Sequence, residues 1–236
     1  MTEKIDTSSI EALVDEGASG ARFDYTAGSA AVICSGLPEH IFSAGRYWPE
    51  FDYSTGLKKL IELKNFENIH KAGIFWKEFD FKAGLETLLN SGEPEYIYRA
   101  GRFWKIYDYD RGLEALILIN RPRYIYYAGQ EWKIFNFSRG FEALMNAGDP
   151  EFIFYAGAHW KIFDHEIGFT RLLETGNPEY IYKAGTLWSS FDYKRAWTVM
   201  EKRVTEGAEW RGRAFEHPVW RNALRIIWKE LRSQPL

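Results

Sequence analysis

The sequence predicts an all-α protein: an α-solenoid of helix-turn-helix repeats 28 residues long, with a cap at each end. Three columns of residues carry that prediction. Ile41, Ile69, Ile97, Ile125, Ile153 and Ile181 recur at a constant spacing of 28. Gly45, Gly73, Gly101, Gly129, Gly157 and Gly185 do the same, as do Trp48, Trp76, Trp104, Trp132, Trp160 and Trp188, without a gap. A period of this size marks stacked supersecondary units, none of which buries its apolar face alone.

Residues 1–40 form an N-terminal segment with a degenerate capping unit. Leu13, Gly17, Phe23, Asp24 and Gly28 fall on the Ile, Gly, aromatic, Asp and second Gly columns, but Gly20 stands where the Trp belongs. Terminal units of solenoids depart from the consensus because one face meets water.

Residues 41–200 hold the six full repeats. In the third, Pro94 suits the first helical position, where its missing N–H costs nothing. Asp149 and Asn177 precede the equivalent prolines and are good N-caps; Glu93 is not. Ile97, Ala100, Gly101 and Trp104 then share one helical face at i, i+3, i+4 and i+7. The Ala-Gly pair admits a close helix, and Trp104 fills the wider gap beside it.

The second helix opens at Asp52, Asp80, Asp108, Asn136, Asp164 and Asp192. Each can accept from orphan backbone N–H groups, and capping explains the column better than catalysis because every repeat has one and no base accompanies it. A second small column follows: Gly56, Gly84, Gly112, Gly140 and Gly168, then Ala196. Glycine there costs up to ~1 kcal/mol relative to alanine, which close packing must offset. No Gly-x-x-x-x-Gly-Lys-Ser/Thr occurs, so a phosphate loop is disfavoured. Leu113, Leu116 and Ile117 form the buried stripe. Gly36, Gly92, Gly148 and Gly176, with Asn120 in the same column, suit a left-handed helix end. Lys64 breaks that column and predicts a different turn. The short linkers make neighbouring helices antiparallel.

Residues 201–236 form a C-terminal helical cap. "PVWRNALRIIWKELR" places Trp220, Leu224, Ile227, Trp228 and Leu231 on one stripe with Arg and Lys opposite. A lid on the last repeat explains this better than a membrane-surface helix.

Over residues 10–200 the layout resembles TPR, Sel1-like and HEAT-like arrays in architecture. The resemblance implies a binding scaffold. The period is shorter than theirs, and "PEYIYxAGxxWKxFDxxxGLEAL" is none of their signatures, so none of their functional residues carries over.

Composition narrows the function. Thirty basic and 33 acidic residues give a net charge of −3, which argues against a strong general pull toward phosphate backbones or anionic membranes. No apolar run approaches the ~20 residues of a membrane span, and the start lacks a signal-peptide core. The expectation is a soluble cytoplasmic protein without cofactor or metal. The lone Cys34, in "GSAAVICSG", reads as a buried structural thiol. His40, His70, His159, His165 and His217 show no metal-ligand spacing, no catalytic motif appears, and an enzyme is not expected.

Two sets of residues remain as candidate sites. Positions that vary between repeats are where a scaffold individualises its surface. On the first helices these include Arg99, Arg102, Tyr127, Gln130, Ile134, Tyr155, His159 and Ile162, rich in the aromatic and Arg side chains that dominate protein–protein hot spots. They are the candidate partner-binding ridge, with another protein as partner. The alternative is nucleic-acid binding through Lys77, Lys105, Lys133 and Lys161, each directly after its Trp. A favourable position near a helix C-terminus explains these lysines as well. Glu86, Glu114 and Glu142 on the second helices are expected to neutralise them. Two aromatic columns, including Tyr126 and Phe152, read as core between repeats rather than as base-stacking platforms.

Overall fold

The computed structural model describes residues 7–20, 22–202 and 206–233. Among these it contains sixteen helices and no strand. Successive helices pack against their neighbours as an α-solenoid of 28-residue hairpins. The chain divides into two compact units, residues 1–119 and 120–236.

The first unit contains α1 (Thr7–Ser19), α2 (Tyr25–Ser35), α3 (Pro38–Tyr47), α4 (Tyr53–Glu62), α5 (Phe66–Phe75), α6 (Phe81–Ser91), α7 (Pro94–Phe103) and α8 (Tyr109–Ile119). The odd helices pack on one another in one layer and the even helices in a second. Local chemistry sets the boundaries. Asp24, Asp52 and Asp80 accept hydrogen bonds from backbone N–H groups one turn into the helix, so the Asp column is a capping column. Asp108 does the same for Arg111. Pro38 and Pro94 open α3 and α7, whose preceding residues, Leu37 and Glu93, make no side-chain cap. The turn at Lys64 differs only in that α4 ends one residue earlier in register than α2 and α6. Lys64 takes the left-handed conformation at φ 52°, and Asn65 supplies the next N-cap.

The Trp residues corrected the expected packing. Each first helix ends just before its Trp; Trp104 has ψ 142°, which turns the chain out of the helix. The indole does not fill a gap beside its own Ala-Gly pair. It lies on the glycine of the preceding hairpin: Trp48 on Gly17, Trp76 on Gly45, Trp104 on Gly73. The indole N–H donates to a main-chain carbonyl 34 residues earlier: Val14 for Trp48, Phe42 for Trp76, His70 for Trp104, at 2.9–3.1 Å. The degenerate first unit therefore needs a Gly17 to receive Trp48, but no Trp of its own. The second glycine column is covered by the aromatic of its own hairpin turn and by the same indole: Gly84 faces Phe79 and Trp104. A Cβ on Gly73 would fall inside the indole of Trp104. Gly73→Ala should therefore cost ~1–3 kcal/mol by overpacking, although alanine is the better helix former. Urea denaturation checks this; an increase in stability would mean the indole is free to move aside.

The second unit contains α9 (Pro122–Glu131), α10 (Phe137–Ala147), α11 (Pro150–His159), α12 (His165–Thr175), α13 (Pro178–Leu187), α14 (Tyr193–Lys202), α15 (Glu206–Glu216) and α16 (Pro218–Ser233). The joint repeats here, with Trp160 on Gly129 and Trp188 on Gly157. It ends with Trp220 of α16 on Gly185, the indole donating to Tyr182 O at 3.1 Å. The terminal cap thus supplies the last Trp joint. Trp220, Leu224 and Ile227 are buried, and Trp228 packs on Phe215 at 5.5 Å. The Leu231 side chain lies outside the described residues.

Cys34 is exposed, contrary to the sequence expectation. The buried face of α2 is Gly28, Ser29, Val32, Ile33 and Ser35, and Cys34 falls on the opposite side.

Candidate functional site

The candidate ridge residues lie on the first helices and on the turns that follow them. In the first unit, Arg99 of α7 is paired with Glu95 at 2.7 Å. Arg102 donates to the Tyr98 hydroxyl at 3.3 Å and lies 4.8 Å from the Phe103 ring centroid. Phe103 and Ile106 are exposed beside it.

In the second unit the structure brings three of the candidates together. Tyr127, Tyr155 and His159 line one cavity of about 380 Å3 between α9 and α11, with Tyr126, Phe152, Arg123 and Glu151. The rings form a connected cluster. Tyr126 lies 5.3 Å from Tyr127, 6.0 Å from Phe152 and 5.8 Å from Tyr155. Tyr155 and His159 stack at 5.9 Å and 13°. The Tyr126 hydroxyl and His159 Nδ1 are hydrogen-bonded at 2.7 Å. Burial raises the Tyr126 hydroxyl above its ordinary pKa. The Arg123 guanidinium sits 5.5 Å from the Tyr127 ring centroid. Gln130, Ile134 and Ile162 do not line this cavity. Ile134 and Ile162 protrude from the hairpin turns, 64% and 65% exposed.

Sequence reasoning missed four members of the cluster. Tyr126 and Phe152 read as core in the sequence, and Tyr126 is buried while still forming a cavity wall. Arg123 and Glu151 left a signal in pairs rather than in single columns. Glu67–Lys71, Glu95–Arg99 and Glu179–Lys183 are i,i+4 ion pairs at 2.6–2.8 Å. The equivalent positions hold Arg123 with Tyr127, and Glu151 with Tyr155. The ion-pair ladder stops where the aromatic cavity opens.

Lys77, Lys105, Lys133 and Lys161 are all exposed in hairpin turns. Glu86 does not pair with a turn lysine as expected. Glu86 binds Arg111 in a two-point pair at 2.5 and 2.8 Å. Lys105 instead lies 5.4 Å from the Phe81 ring centroid. No group of three or more His, Cys, Asp or Glu suited to a metal ion occurs among the described residues. No described helix is long and apolar enough to cross a membrane.

Comparison with protein-family models, with curated proteins and with solved structures returns no match. What the fold supplies is a repeated frame of helical hairpins. What distinguishes one hairpin from the next is the exposed side of its first helix.

Proposed function

We propose that the chain is a non-enzymatic protein-binding scaffold, acting as an adaptor or inhibitor through the first-helix faces of α7, α9 and α11. One observation carries this reading: the buried columns repeat, whereas Tyr127, Tyr155 and His159, which do not, converge on a single open cavity. Aromatic anchors in a pocket beside exposed apolar side chains are what hot spots are made of. Arg102, with Phe103 and Ile106 exposed nearby, offers the same chemistry in the first unit. The lone exposed Cys34 suits a reducing compartment such as the cytoplasm.

The test is affinity capture from the native host, with the Arg102, Tyr127 and Tyr155 triple alanine variant as the comparison. A partner enriched on the wild type should bind the variant ~30-fold or more weakly, the scale of one lost hot spot. If no protein is enriched over the variant, the reading fails.

A second reading rests on the four exposed turn lysines, which recur at equivalent places. If they track a nucleic-acid backbone, gel-shift affinity will fall steeply with salt and drop when Lys133 and Lys161 become Gln. Absence of binding at low salt removes that alternative.

A further inference from the structure

Other hairpins of the repeat give a comparison for the cavity between α9 and α11. In two intact hairpins a lysine bridges a glutamate one turn before it and an aromatic ring. Lys183 Nζ is 2.6 Å from Glu179 and 4.7 Å from the Tyr180 ring centroid. Lys71 Nζ is 2.8 Å from Glu67 and 5.8 Å from the Phe42 centroid. In the hairpin of α11 the acid is kept as Glu151, but Tyr155 replaces the cation, and the described residues give Glu151 no ion-pair partner. The aromatic positions are kept too: Tyr126 and Phe152 correspond to Phe42 and Tyr180 in the spacing.

Building on the scaffold reading, we propose that this cavity binds a lysine or arginine side chain of the partner protein, which supplies from outside the cation that the hairpin lacks. The negative π-faces of Tyr126, Tyr127, Phe152 and Tyr155 attract a cation, most strongly when it is partly desolvated. Half-buried Glu151 provides the counter-charge. Arg123 shows that a guanidinium fits this chemistry, since it already lies over Tyr127. An anion would find only Arg123, already engaged over Tyr127, against four aromatic faces of the wrong polarity and the Glu151 carboxylate. Burial, which raises the Tyr126 hydroxyl above its ordinary value, keeps that wall neutral.

The probes are N-acetyl-lysine amide and N-acetyl-arginine amide, titrated at millimolar concentration against the full chain while the ring resonances of Tyr126, Tyr127, Tyr155 and His159 are followed by NMR. N-acetyl-norleucine amide is the neutral control and N-acetyl-glutamate the anionic one. The cations should bind roughly fivefold tighter than norleucine, the scale of one partly exposed cation–π contact with a carboxylate nearby. Glu151→Gln should remove most of that preference. Tyr155→Lys rebuilds the ion pair seen at Glu67–Lys71, so it should melt no lower than wild type and lose the cation response. Equal binding of norleucine, tighter binding of glutamate, or an unchanged response in a folded Tyr155→Lys protein overturns the proposal. A captured partner that still binds Tyr155→Lys at full affinity overturns it too, and leaves the scaffold reading standing. If capture finds no partner, the scaffold reading fails while the titration still decides the chemistry of the cavity.

Discussion

Trp104→Ala should destabilise the first unit by ~3–5 kcal/mol, the range for removing a buried aromatic and leaving a partly collapsed hole. Three losses add up at that site. The indole is 2% exposed and fills the space above Gly73, which has no side chain to relax into the vacancy. Its N–H donates to His70 O at 3.0 Å. It packs edge-on against Phe79 at 5.2 Å and Phe81 at 5.7 Å, which hold the turn and the start of α6. Because Trp104 joins one hairpin to the preceding one, its loss weakens an interface between repeats as well as a core. In a quasi-one-dimensional array, stability is a sum of unit and nearest-neighbour terms, so weakening one interface decouples its two sides. Urea unfolding should therefore shift to a lower midpoint and become less cooperative, with a smaller m-value. Trp104→Phe, which keeps a ring but removes the N–H, should fall between wild type and Trp104→Ala. A loss below ~1 kcal/mol with an unchanged slope would mean the hairpins are held by something other than the Trp–Gly joint.

Much of this fold is legible in the sequence because its boundaries are local. An Asp that caps the next three residues, a proline at the first helical position and a left-handed glycine at the helix end need no knowledge of the rest of the chain. Partner choice in the joint is not local. Trp104 follows Ala100 and Gly101 in the sequence, yet its ring lies on Gly73, because the chain leaves the helix at the Trp and the indole reaches back. Trp220 was hidden for a related reason. Its indole donates to a carbonyl 38 residues earlier, against 34 for Trp188, so four extra residues put it out of register with the column. The cavity was half legible. Tyr127, Tyr155 and His159 stood out as residues that do not repeat, whereas Glu151 matches the Glu of four other repeats and escaped notice. Its meaning lies in the missing partner one turn on, visible only when residues are compared in pairs. Lys64 shows the opposite case, a residue that breaks its column without breaking its turn.

His70 should make the protein acid-sensitive well above the carboxylate range, and His70→Phe should remove that sensitivity. The column that contains it holds Phe42, Tyr98, Tyr126, Phe154 and Tyr182 in the other repeats, so an aromatic ring is what the position accommodates. The imidazole is 6% exposed, lies 6.2 Å from the Phe103 ring and 6.3 Å from the Tyr96 ring, and has a buried Nε2 without a hydrogen-bond partner. Burial lowers its pKa from 6.5 to about 4. Well above pH 6.5 the ring is neutral folded and unfolded, and the shift has almost no effect on stability. Below 6.5 the unfolded chain takes up a proton that the folded chain refuses, so stability falls with pH until the folded ring is itself protonated near 4. A drop from 6.5 to about 4 corresponds to ~3 kcal/mol over that window. Asp52 and Glu67, held below their ordinary values of 3.8 and 4.5 by hydrogen bonds from Thr55 and Lys71, lose their contribution only at lower pH. Between pH 6.5 and 4.5 these two carboxylates keep their contribution, and the comparison with His70→Phe reads the histidine. Urea midpoints measured across it should fall for the wild type and stay nearly flat for His70→Phe, which also matches Phe42 and Phe154 in shape. Parallel curves for the two proteins would show that His70 takes up its proton in the folded state, and that its ring opens to water more readily than its burial implies.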